Sequence, residues 1–279
     1  MSKSSPRISF EYFPPKTDAG KDKLLNLTTP ALNALNPAFF SVTYGAGGST
    51  RDSTLGVVSA IGEAGIEVAP HLSFGGDDES AIGELLDNYK QRGISHLVAL
   101  RGDMPSGMGG MAQLVYANEL VEYVRKRTGD HFHIEVAAYP EIHPQAKSYQ
   151  HDVGFLKAKF DAGANSAITQ YFFNVESYFY FLDQCADAGI DSPIYAGIMP
   201  IINFSSLARF SANCGADIPR WMRQRIEGYG DDQDSIQKFG IEVVSQLCQT
   251  LLDSGAPGIH FYTMNQVDPT RKIVSNLGL

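Results

Sequence analysis

The sequence is short of cysteine, short of positive charge and free of long apolar runs, and each shortage removes a class of protein. Cys185, Cys214 and Cys248 are three in number, far apart and never in a C-x-x-C arrangement, so neither a disulfide framework nor a structural zinc site is expected. They read instead as small buried hydrophobes. Lys and Arg total 22 against 31 Asp and Glu, a net charge of -9. Meeting phosphate takes clustered cations, so small molecules are better partners than nucleic acid or an anionic membrane. The opening Met1-Ser2-Lys3-Ser4-Ser5-Pro6 has no signal-like apolar stretch and no membrane span is legible, which makes the cytoplasm the expected location. No G-x-G-x-x-G follows the first strand-like segment, which weakens a doubly wound dinucleotide-binding sheet. His71, His143 and His260 lack the short H-x-x-x-H spacing, and no metal is expected.

What is present is enough apolar material, 43% of the chain, for a large core, and a recurring phrase. A polar amphipathic run, a glycine and a short apolar run recur at Gly65 before Glu67 to Ser73, Gly93 before Ser95 to Leu100, Gly163 before Ser166 to Thr169, Gly189 before Ile194 to Ile198, and Gly255 before Gly258 to Tyr262. Glycine just beyond a helix closes its last turn in the left-handed region, so each phrase reads as helix end, tight loop, buried strand. Strands without polar alternation are covered on both faces, as in parallel sheets. With Ile8 to Glu11, Phe39 to Tyr44 and His133 to Ala138 there are eight strand candidates, and about 250 residues is the usual size of a (βα)8 TIM barrel. The expectation is α/β, one domain over residues 1–279, with an inserted helix before the last strand. The insertion lies in Asn203 to Ser254, with helix-like pieces around Pro219 to Tyr229 and Asp234 to Leu252.

A barrel of this kind builds its active site from the carboxyl ends of its strands. Those ends are polar here: Glu11, then Thr43-Tyr44-Gly45-Ala46-Gly47-Gly48, His71, Arg101-Gly102-Asp103, Tyr139-Pro140-Glu141-Ile142-His143, Gln170-Tyr171-Phe172-Phe173 and Tyr262-Thr263-Met264-Asn265. Taken singly, Glu11 could cap a helix, His71 could be a core histidine and Arg101 with Asp103 a structural ion pair. Their convergence on one rim favours a catalytic mouth.

The strand-end segments Ile8 to Lys16, Ser41 to Gly45, Ala69 to Leu72, Ala99 to Asp103, Ala137 to Pro144, Ala167 to Phe173 and His260 to Asn265 resemble methylenetetrahydrofolate reductase in its short bacterial form, in order and over nearly the whole chain. The resemblance implies a non-covalently bound FAD, and NADH or NADPH as hydride donor in a ping-pong exchange. It implies reduction of 5,10-methylenetetrahydrofolate to 5-methyltetrahydrofolate for one-carbon metabolism and methionine biosynthesis, by a homo-oligomer. Glu11 would be the general acid and Asp103 would sit against flavin and pterin. A donor carboxyl must be protonated near neutral pH, so a raised Glu11 pKa is expected. FAD contacts carry over as Thr43, Tyr44, Ala46, His71, Arg101, Gly102, Asp103, Tyr116, Ala117, Tyr139, His143, Ala146, Asp152 and Lys159. Gln170, Phe210 and Tyr262 would join Glu11 at the substrate.

The chain departs from the family pattern at Gln266, where an Arg is usual and Arg271 is the candidate substitute, and at Ser206, Phe155 and Ala158. Two rival readings remain: a barrel that binds a folate without reducing it, which needs no FAD pocket, and a related flavin dehydrogenase acting on an amino acid, which needs no Glu11.

Overall fold

A computed structural model describes residues 6–44, 48–74, 79–101 and 116–279, with the side chains of 48–51 left aside. Of the residues singled out above, Ala46, Gly102 and Asp103 lie outside the described residues, as does most of the Gly45 to Gly48 cluster. Eight parallel strands, β1 (Arg7–Tyr12), β2 (Phe39–Val42), β3 (Val68–Leu72), β4 (His96–Ala99), β5 (His133–Ala138), β6 (Ser166–Thr169), β7 (Ile194–Ile198) and β8 (Gly258–Tyr262), pair in chain order and close through β8 against β1. This is the expected (βα)8 barrel. The five glycines of the recurring phrase all have positive φ, from 73° at Gly189 to 111° at Gly163, as the helix-end reading requires.

The connection after β1 is helical but broken: α1 (Asp18–Lys23), a π-helical turn (Leu24–Thr28) and α2 (Thr29–Asn33). Then α3 (Gly48–Glu63), α4 (Glu79–Gln91), α5 (Ala117–Thr128), α6 (Tyr149–Asp161) and α7 (Val175–Asp187) alternate with strands. The insertion is larger than expected. Between β7 and β8 lie α8 (Phe204–Cys214), α9 (Arg220–Glu227) and α10 (Gln233–Asp253), and α11 (Thr270–Asn276) follows β8. The sequence reading had α9 and α10 and lacked α8.

Strand alternation divides the core in two. Outward residues such as Phe10, Phe40, Val42, Leu72 and Phe261 pack under the helices. Inward ones fill the barrel with a small apolar plug of Phe39, Ala69, Val98 and Ile168. Below the plug, toward the strand N-termini, lie Arg7, His96, Glu135 and Ser166, and above it Glu11 and His71 face the mouth.

At Gly197 the interior has room for hydrogen alone. A Cβ on Gly197 of β7 would collide with the Thr169 carbonyl oxygen and lie 2.8 and 2.9 Å from Cε2 and Oη of Tyr262. That carbonyl accepts the Tyr262 hydroxyl at 2.7 Å, while Thr169 Oγ1 accepts the Gly197 N–H at 2.8 Å. Gly197→Ala is therefore expected to destabilise the fold by about 1–3 kcal/mol, as overpacking does. Denaturant titration checks this, and an unmoved midpoint would contradict the close approach.

Candidate active site at the barrel mouth

Two adjoining cavities open at the carboxyl ends of the strands. The larger, of about 610 Å³, is lined by Glu11, Thr43, Tyr44, His71, Arg101, Tyr139, His143, Gln170, Phe210 and Tyr262 among others. The smaller, of about 270 Å³, adds Tyr116, Ala117, Ala146, Asp152 and Lys159. Leu100, Arg101, Ala137, Tyr139, His143 and Gln145 belong to both walls, so one elongated ligand can occupy the two. Every described residue carried over as a catalytic, FAD or substrate contact lines one cavity or the other.

Glu11 points inward from β1, level with Ser41 on one side and Tyr262 on the other. Its Oε2 lies 3.3 Å from His71 Nε2 and 3.5 Å from His260 Nε2, and accepts a long bond of 3.5 Å from Ser41 Oγ. His260 is fully buried, with its Nδ1 2.7 Å from Ser9 Oγ. Among the described residues, neither imidazole Nε2 has a well-aligned hydrogen bond, yet both lie near enough to act on the carboxylate. This corrects the expectation of a raised Glu11 pKa. Burial does push the carboxyl up, but His71, with His260 behind it, outweighs burial and brings it down to about 2. The open site holds an ionised Glu11 against two potential proton carriers.

The turn beyond β8 fixes this arrangement. Thr263 Oγ1 donates to the Glu11 carbonyl at 2.7 Å. Asn265 accepts from the Phe13 N–H at 3.1 Å and donates to the Phe13 carbonyl at 2.8 Å. Met264 and Asn265 reach this geometry with φ of 54° and 57°, a region that side chains adopt only when contacts compensate. Tyr262 has its hydroxyl committed to Thr169 O, so it offers the larger cavity a ring face.

The smaller cavity is cationic at its inner end. Lys159 Nζ donates to the Ala137 carbonyl at 2.7 Å. Burial, reinforced by the Arg101 charge and opposed by Asp152, brings its ammonium down to about 8. Arg101 itself bonds Gln145 Oε1. Asp152 Oδ2 takes the His143 N–H at 2.7 Å, and the Gln145 N–H donates to His143 Nδ1 at 3.0 Å, which leaves Nε2 to carry the proton of a neutral ring. The His143 ring meets Tyr139 edge-on at 4.6 Å. The preceding Ile142 has φ of 65°, a genuine outlier for a β-branched residue. At the outer end Tyr116 stacks on Phe155 at 5.7 Å, so the Phe155 departure supplies an aromatic wall.

Sequence reasoning missed the contribution of α8. Asn203 caps it by accepting the Ser206 N–H at 3.0 Å, a start signal that was legible, and the helix brings Asn213 and Cys214 beside Phe210. Cys185 and Cys248 are buried as expected. Cys214 is a partly exposed cavity residue, 3.4 Å from the Tyr171 hydroxyl, which in turn is 3.1 Å from Ser211 Oγ. Glu141, from the loop after β5, accepts the Asp217 N–H just beyond α8 at 2.8 Å and the Ser177 hydroxyl of α7 at 3.4 Å. Arg271 pairs with Asp268 at 3.2 Å and lines neither cavity, so it does not take the place of an arginine at position 266.

Residues 1–278 match the family model described as methylenetetrahydrofolate reductase. The chain is 42% identical over 273 residues to 5,10-methylenetetrahydrofolate reductase of Escherichia coli K12, covering 98% of this chain and 90% of that one. It is 35% identical over 286 residues to methylenetetrahydrofolate reductase (NADH) 1 of Arabidopsis thaliana, covering 98% of this chain and 48% of the plant protein. Among solved structures, a Clostridium thermocellum protein that binds two copies of 5-methyl-5,6,7,8-tetrahydrofolic acid superposes with a TM-score of 0.70 at 17% identity, over 99% of this chain and 95% of that one. That likeness is one of fold. No helix among the described residues is long and apolar enough to cross a membrane.

Proposed function

Because the chain belongs to the methylenetetrahydrofolate reductase family, we propose that its barrel mouth reduces 5,10-methylenetetrahydrofolate to 5-methyltetrahydrofolate. The donor is NADH or NADPH, the exchange is ping-pong through non-covalently bound FAD, and the enzyme works in the cytoplasm. The observation that carries the reading is the carboxylate of Glu11 held between two imidazoles in the larger cavity, next to a smaller one with a desolvated cation at its end. Bound FAD would supply a two-electron carrier between the nicotinamide and the folate carbon.

The residues present fit that group. Lys159 is an under-compensated ammonium with Arg101 beside it, suited to diphosphate oxygens. His143 and Asp152 offer polar atoms suited to hydroxyls, and Tyr116 with Phe155 an aromatic wall suited to a planar base. Gln170 accepts the Tyr171 N–H at 3.0 Å through Oε1, which leaves its amide N–H groups for a planar substrate. Phe210 and the Tyr262 ring form the apolar side of the same cavity. Asp103 is assigned to the flavin and pterin by resemblance alone.

The proton needed to open the folate's one-carbon bridge comes from the Glu11 cluster. In the open mouth Glu11 is ionised. When a ring system covers it and removes water, the neutral acid is favoured, because desolvation penalises the carboxylate. A proton passed to Glu11 through the neighbouring imidazoles produces that acid beside the substrate. The function is tested with the purified protein: a flavin spectrum, anaerobic bleaching by NADH or NADPH, and recovery of colour on adding 5,10-methylenetetrahydrofolate are expected. A colourless protein, or a reduced one indifferent to the folate, refutes the reading.

A further inference from the structure

The opposite end of the barrel carries a second polar cluster that the proposed reaction does not use. Glu135 of β5 is fully buried inside the floor. Three donors converge on its Oε1: Arg7 Nη1 at 3.1 Å, His96 Nε2 at 3.3 Å and His133 Nε2 at 3.5 Å. Its Oε2 accepts Ser166 Oγ at 2.6 Å, and Ser166 Oγ lies 2.8 Å from His133 Nε2. One potential ligand atom from each of His96, His133 and Glu135 lies within 4.8 Å of the others.

We propose that His96, His133 and Glu135 form a divalent transition-metal site of the zinc class at the barrel floor, with Arg7 occupying the cation position when no metal is bound. Two imidazoles and one carboxylate are a donor set that zinc accepts, at about 2.0–2.2 Å per bond. Closing the cluster onto an ion thus takes an inward shift of the three side chains. Ser166 already holds the second carboxylate oxygen, which is the outer support such ligands need. Neutral imidazoles ligate through a ring nitrogen once its proton sits on the other nitrogen, so no net proton need leave the cluster.

Arg7 is the competitor that an ion must displace. Its guanidinium lies 4.9 Å from the Phe39 ring and 4.8 Å from the Tyr195 ring, and 23% of its side chain is exposed. The His133 side chain is 40% exposed, which gives an ion a way in. A bound ion would tie the adjacent strands β4 and β5 together at the end of the barrel that serves stability, while the mouth serves chemistry. His133 and Glu135 stand two apart on one face of β5, a short His-x-Glu pair, but His96 comes from β4 and only the fold brings it to them.

The test uses tag-free, metal-free full-length protein titrated with Co2+ and then Zn2+, reading the visible Co2+ bands and the thermal midpoint. One ion per chain is expected, with a nitrogen and oxygen ligand spectrum, displacement by Zn2+ and a chelator-reversible rise in midpoint. His133→Ala, at a half-exposed position that should leave the fold intact by circular dichroism, is expected to weaken binding by more than about 100-fold, beyond the loss of an outer-shell partner. Arg7→Gln should tighten it. No binding, a thiolate spectrum from the cysteines, or undiminished binding in His133→Ala with loss in Glu11→Gln, which would put the ion at the mouth, overturns the proposal.

Discussion

Glu11→Gln is expected to leave bleaching of the flavin by NADH nearly intact and to slow its reoxidation by 5,10-methylenetetrahydrofolate by about 10²- to 10⁴-fold, the usual worth of a general acid. The amide keeps the size of the carboxyl and can still meet Ser41, but it cannot take a proton from His71 or His260. Hydride transfer from a nicotinamide asks for no such proton, so the two half-reactions should separate. The open-site carboxyl is held at about 2, so its acid form arises only once bound substrate has displaced water from the cluster. The wild-type folate half-reaction should then fall as pH rises and that acid form becomes scarcer, and the residual rate of Glu11→Gln should lose that dependence. Stopped-flow measurement of both half-reactions across pH decides. Equal slowing of the two would mean that Glu11 only shapes the cavity.

The second large effect is expected at the other cavity, where Lys159→Met should weaken FAD by about 10- to 100-fold, the worth of one or so charge-assisted hydrogen bonds, while making the flavin-free protein more resistant to unfolding. Both follow from one fact: burial has brought this ammonium down to about 8. A lysine is released to its ordinary value near 10.5 on unfolding, so the folded state binds its proton less well than the unfolded state does. Stability therefore rises with pH between about 8 and 10.5, and below 8 the charged group is a standing cost. Methionine removes the cost and keeps the stem's packing. A phosphate in contact would restore the ammonium, so binding in that window should take up a proton. Calorimetric titration with FAD in two buffers of different ionisation enthalpy reads the proton, and thermal melts of flavin-free protein read the stability. Unchanged affinity, or a less stable variant, would remove Lys159 from the diphosphate role.

The barrel was legible because its joints are local. Gly65, Gly93, Gly163, Gly189 and Gly255 announce helix ends within a few residues of the strands they precede, and four of the eight strands, His133–Ala138, Ser166–Thr169, Ile194–Ile198 and Gly258–Tyr262, match their sequence bounds. Site residues were legible as strand-end polars, and Lys159 and Phe210 through family resemblance. What could not be read is what depends on juxtaposition. The fall of the Glu11 pKa needs His71 from β3 and His260 from β8 in one plane of the barrel. The floor cluster needs β4 beside β5 and the β1 arginine reaching Glu135. In α8 the failure was of another kind: Asn203 signalled a start and Phe204, Leu207, Ala208 and Ser211 follow at helical spacing, a local pattern that was legible and passed over.

The bond from Glu141 to the Asp217 N–H has a mechanical meaning. It ties the loop that carries His143 to the far end of the helix that carries Phe210, and Gly215 at that end rests against Pro144, where an added Cβ would lie 3.0 Å from the proline ring. Helix and loop thus form a stiff strut across the rim. Phe210 of the larger cavity and the His143 backbone N–H that grips Asp152 in the smaller one are thereby carried on one connected frame, so the two cavities share a wall that is braced from both sides.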